Sequence, residues 1–284
     1  MKKRTGRRTP ARTGTGLRTT KSLVVVLGDG DLVREYTQLC EDKGFAVLSL
    51  PNVSESPQRK GRSASRQPIP PDAAIALELT TGNADAKRRN VMLLDSILLP
   101  TCALVSSSVT VTATEQASWI TQKHRLIGFG ALPATSHATL VEIAPTVFTP
   151  LETVDVVRRF FGTLGKEMEL VQDRVGLVFP RLMCHTVNEA AFLLEEDVAA
   201  PADIDLALRL GAGFPEGAFA WADRVGFENV LAVLRALQSE LSPERYRISP
   251  LLKQLGQTGR WWDPQAVAVP PENDPARADR RAKS

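Results

Sequence analysis

Gly28 and Gly30 follow directly on an apolar run, Leu23-Val24-Val25-Val26-Leu27. A buried strand that empties into such a turn, with a helix starting just beyond, offers backbone N–H groups to an anion. The chemistry it serves is the grip on a phosphate or pyrophosphate. In the G-x-G-x-x-G arrangement of dinucleotide-binding folds the first glycine makes the tight turn and the second lets the backbone approach the pyrophosphate. The third lets helix and strand pack closely. The third place here is Val33. Asp29 and Asp31 add carboxylates where phosphates would lie, against the positive end of the helix dipole. Gly28 and Gly30 are therefore expected at a nucleotide cleft whose hold on a dinucleotide is weakened.

Few other residues could do chemistry. Ser106, Ser107 and Ser108 supply hydroxyls, but a nucleophilic serine needs a base beside it, and none follows closely; they read as loop polars. Lys87 falls within a helical pattern, where it either touches a phosphate or is solvated. His124, His137, His185 and the cysteines Cys40, Cys102 and Cys184 have no C-x-x-C or H-x-x-x-H companions, so no metal site is expected. Scattered cysteines in odd number fit a reducing compartment, and the expected location is cytoplasmic.

The elements that must position these residues alternate. Strands are expected at 23–27, 45–50, 74–79, 102–106, 126–129, 139–144 and 169–171, and helices at 32–43, 84–97, 114–121 and 153–164. Residues 51–71 are rich in Pro, Ser, Arg and Gln and read as an exposed loop. This alternation implies a Rossmann-like α/β domain over 22–176, with a doubly wound, mostly parallel sheet. From Pro180 onward only helical patterns remain, at 181–197, 202–210, 219–225, 228–240 and 249–257, giving an all-helical C-terminal domain over 177–262. The helices at 181–197 and 228–240 are expected to carry more apolar surface than one small bundle buries.

The net charge of +3 hides an asymmetry. Residues 1–21 carry eight Lys and Arg and no acid, leaving 27 basic and 32 acidic side chains in the rest. The basic segment has few apolar groups and no interleaved aromatics, so it reads as a disordered tail and not a nucleic-acid arm. Residues 263–284 read as a second disordered tail, and Trp261 and Trp262 as a packing plug ahead of it. No apolar run reaches the ~18 residues of a membrane span, so no membrane partner is expected.

Several motifs in the helical half occur in a telling order. They are Val187-Asn188-Glu189-Ala190-Ala191-Phe192, then Pro201-Ala202-Asp203-Ile204-Asp205, then Gly211-Ala212-Gly213-Phe214-Pro215-Glu216-Gly217, and finally Ser249-Pro250-Leu251-Leu252-Lys253. Together they resemble the C-terminal domain of the 3-hydroxyacyl-CoA dehydrogenases, enzymes of fatty acid and phenylacetate catabolism. The resemblance runs over roughly residues 23–262. It implies an NAD-dependent oxidoreductase acting on an acyl-CoA, with a dimerising helical domain. Its active site would contain a Ser, a His as general base, a Glu that orients it, and an Asn.

Laid onto this sequence, the family's motifs leave one catalytic remnant. Ser106-Ser107-Ser108-Val109-Thr110 puts Val109 at the serine position, Gly128-Phe129-Gly130 puts Gly130 at the histidine position, and Phe179-Pro180-Arg181 puts Pro180 at the asparagine position. Glu142, in Leu140-Val141-Glu142-Ile143, matches the glutamate, and its expected role without a histidine is a structural hydrogen-bond partner. On the cofactor side the ribose-binding acid falls at Pro51 and a further acid at Gly82, while Lys87 matches the family's lysine. These departures resemble the non-catalytic second copy of the long, duplicated enzymes of the phenylacetate-degradation type. The resemblance therefore implies an impaired pseudoenzyme acting as a homodimer or as the partner of an active family member. An active enzyme with a displaced base such as His137, and a module that holds an acyl-CoA or nucleotide without chemistry, remain as alternatives.

Overall fold

The computed structural model describes residues 22–28, 30–53 and 73–258. Residue 29 and the segments 1–21, 54–72 and 259–284 lie outside the described residues, and with them Asp29, both expected tails, most of the 51–71 loop, Trp261 and Trp262.

The α/β half is a seven-stranded sheet in the order β2-β1-β3-β4-β5-β6-β7. Its strands are β1 (Leu23–Gly28), β2 (Ala46–Pro51), β3 (Ile75–Glu78), β4 (Ala103–Ser107), β5 (Leu126–Phe129), β6 (Leu140–Pro145) and β7 (Glu167–Leu170). Strand side chains alternate between faces, and here both faces are covered. Val24 and Val26 of β1 pack with α1 (Gly30–Asp42) and α4 (Leu151–Thr163). Val25 and Leu27 pack with α2 (Ala84–Ile97) and α3 (Ala113–Ser118) on the other face. The expected doubly wound, mostly parallel sheet is what forms. Only β6 runs antiparallel to its neighbour β5. No helix separates the two, so the chain reverses through residues 130–139 without the crossover that parallel pairing requires.

Helices α5 (Phe179–Glu195), α6 (Pro201–Gly211), α7 (Ala218–Val225), α8 (Phe227–Glu240) and α9 (Pro250–Thr258) build the second half. Glycine-rich residues 211–217 make a corner that Asp205 closes. Its carboxylate accepts the amides of Phe219 at 2.9 Å and Ala220 at 3.1 Å, and a Cβ on Gly217 would overlap it. One expectation needs correcting. The apolar side of α8 is consumed inside the bundle, with Val230, Leu231, Val233, Leu234 and Leu237 all buried. The exposed surface lies on α5 and α6, where Leu182 is 61% and Leu210 75% accessible.

Candidate functional site

Gly28 ends β1 and Gly30 opens α1, one on each side of residue 29. Gly28 at φ +152° and Gly30 at φ +72° take conformations that favour glycine. A Cβ on Gly28 would stand 3.1 Å from Val33 Cγ2 and 3.1 Å from the carbonyl carbon of Leu79. Val33 thus fills the close contact between α1 and β1, and the third glycine is replaced by packing. Around Gly30 nothing lies within 4 Å of a Cβ, so this side is open. The helix begins at Gly30, two residues before the expected start, which places Asp31 in the exposed first turn, ion-paired with Arg34.

Gly30 borders a cleft of about 770 Å³ at the carboxyl ends of the strands. Thr81, Gly82 and Asn83 line its sheet side; Arg224, Asn229 and Arg235 of the helical half line the other. A loop bridges the two halves beside it. Ala134, at φ +60°, donates its amide to Glu35 Oε1 at 2.7 Å, and its carbonyl accepts from Arg224 Nη1 at 2.7 Å. Pro133 of the same loop lines the cleft.

Lys87 corrects the reading of it as a solvated lysine. It is fully buried, donating to Glu78 Oε2 and to the carbonyl of Ser107 at 2.9 Å. Glu78 is equally buried and accepts from the Thr80 amide at 3.0 Å, Asn90 Nδ2 at 3.3 Å and Ser106 Oγ at 2.8 Å. A buried charge needs such a partner and such bonds. The serines are corrected too: Ser106 and Ser107 end β4, and all three are buried rather than loop polars. Sequence reasoning missed Glu78, though a lone acid inside the apolar run 75–79 is a signal that something must neutralise it.

At the catalytic positions of the sequence reading the side chains are rewired. Val109 is buried and packs with Leu132 and Val175 in the core of the helical half. Pro180 sits in the first turn of α5. Glu142 reaches from β6 to that turn: its Oε2 accepts the amide of Val178 at 2.9 Å and its Oε1 the amide of Phe179 at 2.7 Å. The carboxylate thereby satisfies amides that an α-helix leaves bare and lies at the positive end of its dipole. This contact explains why α5 starts two residues ahead of its expected beginning. A Cβ on Gly130 would meet Leu177 Cδ1 at 3.1 Å and Glu142 Oε2 at 3.3 Å. His137 is exposed in the loop before β6, and His185 lies edge-on to Tyr246 on α5. Among the described residues no group of three or more His, Cys, Asp or Glu is placed to hold a metal, and no helix is long and apolar enough to cross a membrane.

Comparison with known proteins agrees with this architecture. Residues 63–174 match the model of the 3-hydroxyacyl-CoA dehydrogenase NAD binding domain, and residues 176–265 that of the C-terminal domain. A probable 3-hydroxybutyryl-CoA dehydrogenase of Bacillus subtilis is 32% identical over 187 residues, covering 66% of this chain and 65% of that protein. The 3-hydroxyadipyl-CoA dehydrogenase of Escherichia coli is 33% identical over 115 residues, which cover 40% of this chain and 24% of that protein. The chain spans slightly less than two thirds of the Bacillus subtilis relative and of a 3-hydroxybutyryl-CoA dehydrogenase of Bradyrhizobium diazoefficiens, at 65% and 64%. The solved (S)-3-hydroxybutyryl-CoA dehydrogenase of Ralstonia eutropha shares the fold, with a TM-score of 0.68 at 24% identity over 84% of this chain and 95% of that one. With both domain models matched in order and the sheet and bundle they imply in place, the chain belongs to the 3-hydroxyacyl-CoA dehydrogenase family.

Proposed function

We propose that this family member has lost dehydrogenase chemistry and serves as a structural or partner subunit, paired through its helical half with a second copy or with an active relative. The observation that carries this is the state of Gly130. The position of the family's base has no side chain, Leu177 stands against it, and the neighbouring Glu142 has both carboxylate oxygens bonded to the α5 amides. Loss of a general base typically costs 10²–10⁴-fold in rate. Here the acid that would orient a base is engaged elsewhere as well.

The pairing role draws support from the exposed leucines of α5 and α6, Leu182, Leu206 and Leu210, which no other element of the chain covers among the described residues. The partial match to the longer Escherichia coli relative fits a chain related to one portion of a duplicated enzyme. Sedimentation of the purified protein, alone and mixed with an active 3-hydroxybutyryl-CoA dehydrogenase, tests it. A homodimer or a mixed complex is expected at tens of micromolar. Monomer alone in both runs overturns the subunit role.

The open cleft favours a second reading, in which an acyl-CoA or nucleotide is held without being transformed. Calorimetric titration with acetoacetyl-CoA separates the two: heat of binding without turnover supports it.

A further inference from the structure

In a doubly wound sheet a dinucleotide lies across the carboxyl ends of the strands at the switch point, with its adenosine ribose held at the end of the strand beside β1. That strand is β2, and β1 lies between β2 and β3. Neighbouring strands are about 4.8 Å apart, so the ends of β2 and β3 face each other over β1 across roughly twice that distance. The adenosine of a dinucleotide would enter this space.

The chain itself bridges it. Register sets Pro51 level with Gly28, and the next residue, Asn52, meets groups from the far side of β1. Asn52 Oδ1 accepts from Thr80 Oγ1 at 2.9 Å, just past β3, and from Asn90 Nδ2 of α2 at 2.7 Å. The Val53 amide donates to Asn90 Oδ1 at 2.9 Å, and the Val53 carbonyl accepts from Arg89 Nε at 3.1 Å. Asn90 is fully buried and also bonds Glu78, so the far side of this clasp is anchored in the Lys87–Glu78 network. The open cleft is bordered by Gly30, Thr81 and Gly82 and by α7 and α8, and no residue of β2 lines it.

We propose that the Asn52–Asn90–Thr80 clasp occupies the adenosine half of the crevice, so that a dinucleotide binds only once the clasp has opened. The side of Gly30 is open to an approaching group, whereas the adenosine side does not fit a nucleoside. The inference deepens the reading of an altered cofactor site, on which it rests. It also differs from a mere loss of the ribose acid at Pro51, because it names a barrier that restoring the acid leaves in place.

Equilibrium titration of NADH, followed by its fluorescence, tests this on the full chain, on Pro51→Asp, and on the double variant Pro51→Asp/Asn52→Gly. The glycine removes the clasp side chain but leaves the Asn90 bonds to Thr80 and Glu78. Expected is weak binding by the wild type, little gain from Pro51→Asp, and at least a tenfold gain in the double variant over the single one. A single variant that binds as tightly as the double, or a wild type with a low-micromolar dissociation constant, overturns the clasp. Should the double variant fail to fold, hydrogen exchange at the Val53 amide of the wild type decides. Millimolar NADH leaves that exchange unchanged or speeds it if the proposal holds, and slows it if the dinucleotide sits beside an intact clasp. Turnover of 3-hydroxybutyryl-CoA by the wild type at high NAD would sink the non-catalytic reading, whereas the clasp stands or falls on the binding ratio between variants.

Discussion

Leu177 Cδ1 lies 3.1 Å from the point where a Cβ on Gly130 would stand. Leu177 is itself buried and held at φ +48°, a conformation that side chains other than glycine's rarely adopt. Its backbone fold-back precedes α5 and delivers the Val178 and Phe179 amides to Glu142. Leu177, which stands against Gly130, and Glu142 are thus parts of one local arrangement.

Restoring the base alone is therefore expected to fail. Gly130→His must displace Leu177, at a cost of about 1–3 kcal/mol for overpacking. On the proposed reading, Val109 and Pro180 still stand where the family's serine and asparagine would be. Groups that act as a unit are not additive, so one restored member recovers little. In an assay of NADH formation from 3-hydroxybutyryl-CoA, both wild type and Gly130→His are expected far below about 1 s⁻¹, the low end of ordinary enzyme turnover. A wild-type rate at or above that value contradicts the non-catalytic reading.

Glu142→Ala should act on stability and not on any activity. It strips the acceptors from the two amides at the start of α5, and hydrogen bonds to a charged acceptor contribute roughly 1.5–3 kcal/mol each side of a truncation. Denaturant unfolding should show a fall of that size in free energy. A change under about 0.5 kcal/mol would mean that water replaces the carboxylate without loss.

Lys87→Met leaves the Glu78 carboxylate buried beside its remaining donors without its countercharge. Breaking a buried pair in this way typically costs 3–5 kcal/mol, whereas replacing both partners is far milder. The double variant Lys87→Met/Glu78→Gln is expected to recover much of the loss. Equal destabilisation in single and double variants would show that the pair is not coupled.

The thiols predict a pH dependence. Burial, with Glu41 adding to it, pushes the Cys40 thiol from 9.0 up to about 12. Burial, partly offset by Arg125, raises Cys102 to about 11, and burial raises Cys184 as well. The folded state holds these protons after the unfolded chain has released them, so stability is full below about pH 9 and falls as pH rises from there toward 11. Melting temperature should decline across that window and stay level between pH 7 and 8. Native protein should resist thiol reagents at pH 8 and react on unfolding, because the thiolate is the reactive form.

Most of the fold is legible in the sequence because it rests on local periodicity. The alternation of Val24, Val25, Val26 and Leu27 between two helix layers follows from the pleat alone, and Pro201 and Pro250 mark helix starts by their fixed φ. The identities of Val109, Gly130 and Pro180, on which the proposed function rests, are read directly from the sequence. What the sequence hid depends on side chains meeting across long separations. Lys87 reads as an ordinary helix lysine until α2 is docked on β3 beside Glu78. Asn52 reads as a loop residue until the sheet order brings Thr80 and Asn90 within its reach, residues 28 and 38 positions away.

The clasp also bears on how this protein persists in a cell. A fold that grips its coenzyme gains stability in proportion to the logarithm of the coenzyme's concentration, and loses it when supply falls. Asn52, Asn90 and Thr80 are tethered in one chain, so their contacts form at the same strength in starved and well-fed cells alike. If the proposed reading holds, a chain braced in this way would draw its stability at this edge from its own side chains and not from bound coenzyme.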